Sequence, residues 1–200
     1  MACGCPAGYL ESMNTSLPIP AAGRLLLAIT PASGIDPLLE LTAFLAERGL
    51  LYVLDGGNTF QGYRLARIMK RRSSEYASLL ANVMLSRVFT CYQMSTLLEE
   101  GEFGPVPILV YDLLSTFYDQ SVRVADRHRL LNTCLARLKV LGRRTPVVIW
   151  ARQRSVIPQE ALGFVDIVRA AADHVWAPVP NAAPAWRQPG LWNDPGQNGG

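Results

Sequence analysis

The sequence predicts a three-layer α/β fold, in which a mostly parallel central sheet is covered by helices on both faces. Two observations carry that expectation. Short, continuously apolar runs alternate along the chain with segments of helical periodicity, and this alternation implies right-handed crossovers between parallel strands. In addition, hydrophobic residues make up 50% of the 200 residues and charged ones only 18%, with mean hydropathy +0.14. That composition is too apolar for a disordered chain and suits strands buried on both sides.

The elements follow in order. RLLLAIT (24–30) reads as a buried strand, and PLLELTAFLAER (37–48) sets Leu38, Leu41 and Leu45 at helical spacing. LLYVLD (50–55) is a second strand, followed by the helix QGYRLARIMKRR with Leu65, Ile68 and Met69 facing inward. A small helix around Tyr76 to Leu80 leads to the strand VMLSRV (83–88) and a helix from about Gln93 to Glu100. PVPILVYDLL supplies a strand at 106–112, and ADRHRLLNTCLARLKVLG (125–142) is the strongest helical pattern in the chain, with Leu131, Cys134, Leu138 and Leu141 on its core face. PVVIWA (146–151) is a fifth strand, PQEALGFVDIVRAAA (158–172) a helix with Pro158 near its start, and HVWAPV a candidate last strand.

This pattern gives one domain over 23–177, flanked by a flexible leader (1–22) and a Pro/Gly-rich tail (178–200) that reads as disordered. Trp186 and Trp192 in the tail are unusual for disorder and suit docking on the domain or a partner as well as idleness. No stretch approaches the ~18 uninterrupted apolar residues a membrane helix needs, so no membrane partner is expected. The N-terminus MACGCPAGYLESMNTS lacks a basic region followed by an apolar one, so the expected location is the cytoplasm. Cys3, Cys5, Cys91 and Cys134 match no disulfide or zinc spacing. Cys91 and Cys134 read as small core hydrophobes.

Charge is unevenly spread. Gln120 to Arg154 holds nine Lys/Arg and one acid, and Gln61 to Arg72 five basic residues and no acid, so the remainder of a chain of net charge +3 is acidic. Two basic segments raise the question of anionic partners. Only Lys70 and Lys139 are lysines; the arginine bias suits bidentate phosphate contact and equally reflects a GC-rich genome.

In open α/β sheets ligands bind beyond the carboxyl ends of the strands. The residues there are TPASGIDP after the first strand, DGGNTF after the second and DLLSTFYD after the fourth. LLYVLDGGNTFQGYRLARI, NVMLSRVFTCYQMSTLLEE and ILVYDLLSTFYD, in this order, resemble the RecA/RadA recombinase ATPase core. They are similar to its strand and Asp-Thr-Glu-Gly-Thr-Phe motif, its next strand with aromatic turn, and its Walker B strand. The resemblance spans about residues 24 to 176 and implies a RecA-like sheet, a nucleotide site with magnesium, and work on DNA in recombination or repair.

The departures from that family bear on function. Its phosphate loop reads GxxxxGK[ST], in which Lys neutralises phosphate and Ser/Thr holds magnesium. Here TPASGID keeps Gly34, but Ile35 stands where Lys belongs and Asp36 where Ser/Thr belongs. Asp36 before Pro37 reads as an N-cap whose carboxylate satisfies the helix amides and repels phosphate. The family's catalytic Glu falls at Gly56 or Gly57, with Asp55 displaced by about one residue. Asp112 stands at the Walker B position, where it would hold magnesium; as a plain strand-end Asp it would cap the following turn. Gln153 is a candidate for the family's sensor residue or a loop glutamine.

The resemblance therefore implies a RecA-like domain without ATP hydrolysis, an accessory DNA- or partner-binding module that meets DNA, a RecA-like protein or copies of itself. The remnant nucleotide site would comprise Ser33, Gly34, Asp36, Asp55 and Asp112, with ATP and magnesium as cofactors if it still binds, and Asp112 as the metal ligand. The alternative is a DNA-dependent ATPase whose phosphate loop is completed by a cation from a neighbouring subunit. The nucleic-acid candidates are Arg129, Arg137 and Arg144, which recur along one stripe of the 125–142 helix and its end, and Arg152 and Arg154. Arg64, Arg67 and Arg71 form a shorter stripe. A solvated helix face is the competing reading of both stripes, and His128 reads as a surface residue.

Overall fold

The computed structural model describes residues 17–20, 22–31 and 34–178. A six-stranded sheet is built from β1 (Leu25–Pro31), β2 (Leu51–Asp55), β3 (Val83–Arg87), β4 (Ile108–Tyr111), β5 (Val147–Gln153) and β6 (His174–Trp176). Its order is β3-β2-β4-β5-β1-β6, and every pairing is parallel. The six α-helices among the described residues are α1 (Asp36–Ala46), α2 (Gly62–Arg72), α3 (Tyr76–Ala81), α4 (Cys91–Glu100), α5 (Val124–Gly142) and α6 (Phe164–Ala171). The sequence expectation of a three-layer α/β fold holds, with the sheet wholly rather than mostly parallel.

The layers follow from the order of the strands. The connections β1→β2→β3 run one way along the sheet, and β3→β4→β5→β6 run the other. Right-handed crossovers then place α1, α2 and α3 on one face and α4, α5 and α6 on the opposite one. Two core clusters match that split. Leu26, Ala28, Val148 and Trp150 of the sheet pack with Leu39, Leu65 and Met69, whereas Leu25, Leu27, Val147 and Ile149 pack with Leu98, Leu131, Cys134 and Phe164. The alternation of neighbours along β1 and β5 is the two-residue period of a strand buried on both faces. Cys91 and Cys134 are both fully buried, as small core hydrophobes should be.

Several boundaries differ from the sequence expectation. The helix expected over 158–172 is broken into a 3-10 turn, Gln159–Ala161, and α6, because the chain turns at Leu162 and Gly163. β5 extends to Gln153, paired residue for residue with β1 as far as Pro31. Arg152 and Gln153 therefore lie within the strand. α4 starts at Cys91 because the Thr90 hydroxyl accepts the Gln93 amide, an N-cap bond. Leu17, within the stretch read as leader, is buried against the α1 face. Among the described residues no helix is long and apolar enough to cross a membrane.

Candidate functional site at the carboxyl ends of the strands

Adjacent strands whose connections leave in opposite directions mark where a parallel sheet opens for ligands. Away from the edge strand β3, the order puts such points between β2 and β4 and between β5 and β1. Asp55 ends β2, Asp112 follows β4, and Arg152 is near the end of β5, so three of the sequence candidates share this edge.

The first opening is filled. Asp55 is fully buried, and its carboxylate accepts the amides of Thr59 (2.9 Å) and Phe60 (3.1 Å) while Arg87 Nε lies 3.3 Å away. That carboxylate is spent on closing the β2–α2 turn. Gly56 donates its amide to Tyr111 O at 2.9 Å, and Gly57 packs directly on Asp112. The two loops thus lie against each other.

Asp112 is the centre of the site. It is fully buried and sits in the left-handed region at φ 46°, ψ 52°. Asn58, at φ 50°, is the other non-glycine residue of positive φ among the described residues, and it stands in the adjoining loop. The Asp112 side chain caps no turn, contrary to the simpler expectation, because two arginines of the β5 end have taken it. Arg152 Nη2 lies 2.9 Å and Arg154 Nη2 3.3 Å from Oδ2. Arg154 Nη2 also donates to Ser115 Oγ at 2.8 Å, and its guanidinium stands 4.9 Å from the Tyr118 ring centre. Burial pushes the Asp112 carboxyl above its ordinary range, and the two guanidiniums pull it part of the way back. A carboxylate already shared by two cations gains little from magnesium, so the residues present do not suit Asp112 to be a metal ligand. Among the described residues no three His, Cys, Asp or Glu side chains cluster as a metal site would require.

The start of α1 is likewise altered. Gly34 closes a tight turn by donating its amide to Pro31 O at 2.9 Å, and a Cβ there would fall 2.9 Å from the Thr30 Cβ. Thr30 Oγ1 braces the turn from below, donating to Gly34 O (3.1 Å) and accepting from Trp150 Nε1 (2.8 Å). The expectation that Asp36 caps α1 is corrected. Ile35 occupies the N-cap position in helical geometry with no side-chain cap bond, and the Asp36 carboxylate pairs instead with Arg64 of α2. Ser33 lies outside the described residues.

The arginine stripes separate into members held by neighbouring elements and members exposed to solvent, of which Arg129 has Asp126 Oδ1 4.0 Å away on its own helix. Along α2, Arg64, Arg71 and Arg72 pair with Asp36 and Glu40 of α1 and with Glu47 just past its end, which accounts for most of that stripe. On α5, Arg137 Nε donates to Leu98 O at 2.9 Å, satisfying a carbonyl at the end of α4. Arg129 and Arg144 are exposed but stand toward opposite ends of the helix, roughly 22 Å apart at ~1.5 Å per residue. Only Arg129 is near the end of the sheet that carries Arg152 and Arg154. Arg127, one of the nine cations between Gln120 and Arg154, is 1% exposed and reaches Glu160 Oε2 at 2.5 Å. Its neighbour His128 is half-buried, edge-on to Phe164.

Fold and site define a three-layer α/β protein with an all-parallel six-stranded sheet and an aspartate-centred arginine pair at its carboxyl edge. No family model matches the chain, and no curated protein matches it.

Proposed function

We propose that the chain is a RecA/RadA-like domain that does not hydrolyse ATP and serves as an accessory DNA- or partner-binding module in DNA recombination or repair, in the cytoplasm. The observation that carries this reading is the capture of Asp112 by Arg152 and Arg154. The aspartate expected to hold magnesium has two guanidinium partners of its own, and Asp55 is committed to backbone amides. The order of the strand-end motifs supports the family reading. The exposed Arg129 and the partly exposed Arg152 and Arg154 support an anionic partner.

The test has two arms. ATP turnover is expected to be absent with and without DNA; turnover abolished by Asp112→Ala contradicts the reading. Single- and double-stranded oligonucleotides are expected to bind at low ionic strength with an affinity that falls steeply as salt is added. Binding that is absent or indifferent to salt removes DNA as the partner and leaves a protein or a second copy of the chain.

A further inference from the structure

We propose that Arg152 and Arg154, with Ser115, form a metal-independent site for a phosphate oxyanion, for which Asp112 is the internal stand-in. The inference rests on the reading of Asp112 as withheld from magnesium, but not on the recombination context.

Charge is the first argument. Two guanidiniums face one carboxylate, so the cluster carries an excess positive charge at the edge where parallel sheets take ligands. The second is the donor count. Each guanidinium has five N–H donors in a fixed fork. Arg152 sets one nitrogen, Nη2, against Asp112 as an ion pair and donates its backbone amide to the same carboxylate at 3.4 Å, while Arg154 donates Nη2 to Asp112 and Ser115. The Nε of both is buried without an acceptor among the described residues. Buried donors without acceptors cost free energy, and an oxyanion that draws the forks outward recovers it. Both side chains are 27% exposed, so the approach is open. Third, the hydroxyl of Tyr118, whose ring lies under Arg154, is also buried without a partner among the described residues.

The tetrahedral oxygens of phosphate match such forks bidentately, and they replace the two guanidinium contacts of Asp112 at once. Free phosphate and the phosphates of a nucleic acid share this chemistry, so both belong in the test. Because Asp112 competes for the same donors, neutralising it should strengthen phosphate binding. A magnesium-nucleotide site would respond in the opposite direction.

The experiment titrates the full chain in EDTA with inorganic phosphate, against sodium chloride of equal ionic strength, and with 5′-phosphorylated and 5′-hydroxyl oligonucleotides. Saturable phosphate binding is expected, tightened severalfold by Asp112→Asn. It should be weakened about tenfold or more by Arg152→Gln or Arg154→Gln, the loss that follows from a charged hydrogen bond. Should a glutamine variant fail to fold, Arg154→Lys keeps the charge, removes the fork and is expected to weaken binding. A preference for the 5′-phosphorylated strand assigns the site to terminal phosphate. Equal binding of both strands, lost with Arg154, assigns it to the backbone, and phosphate alone assigns it to the free ion. Chloride matching phosphate, a requirement for magnesium, or arginine variants within twofold of the unaltered chain would overturn the inference. Magnesium-dependent ATP binding lost in Asp112→Asn would instead overturn the reading on which it rests.

Discussion

A Cβ built on Gly57 would fall 2.6 Å from Oδ2 and 2.7 Å from Cβ of Asp112, so the glycine in the β2–α2 loop is what lets the aspartate after β4 occupy its place. The two loops are fitted to each other, and the position of Asp112 against the arginines depends on that fit. Gly57→Ala is therefore expected to cost about 1–3 kcal/mol, as overpacking of a tight contact does. Asp112→Gly relieves the clash and accepts the positive φ. A double-mutant cycle by urea denaturation should show the second change absorbing part of the first. Strictly additive losses would mean that the two residues do not constrain each other.

The Arg127–Glu160 pair joins α5 to the turn that precedes α6. Arg127 also donates to Phe117 O at 3.3 Å, in the segment that carries Ser115. Removing Glu160 strands a buried cation, though the carboxylate is 55% exposed and solvent screens the pair. Glu160→Ala should cost about 1–2 kcal/mol, while Asp166→Ala, which breaks the exposed pair with Arg169, should stay within about 0.5 kcal/mol. Equal losses in thermal denaturation would show that burial of Arg127 adds nothing.

Thiol chemistry gives a prediction with a defined sign. Burial pushes the Cys134 thiol up to about 12 and raises that of Cys91 as well. Only the thiolate attacks, so at a pH well below these values both should be inert. In a chain carrying Cys3→Ser and Cys5→Ser, positions outside the described residues, a thiol reagent at pH 8 should react only after denaturant is added. Rapid stoichiometric reaction of the native protein would contradict the packing of α4 on α5.

The strand and helix order was legible because periodicity reports which faces are buried, and in β1 and β5 both are. The site was legible in part. Asp112, Arg152 and Arg154 could be placed at strand ends from the pattern, but their mutual pairing depends on β4 and β5 being neighbours. The same holds for Asp36, whose partner Arg64 is 28 residues away; local chemistry suggested a cap, and tertiary contact decided otherwise. Arg127 was hidden for a related reason, since its burial comes from Phe164 and Glu160 of a later segment. The break before α6 did have a local signal, Gly163 within the apolar pattern.

Calorimetric titration of ATP into the full chain, with magnesium and again with EDTA, tests the central claim most directly. With Asp112 held by Arg152 and Arg154, magnesium should add nothing to whatever binding is seen. Micromolar binding that requires magnesium and disappears in Asp112→Ala would mean that the aspartate is free to serve a working nucleotide site.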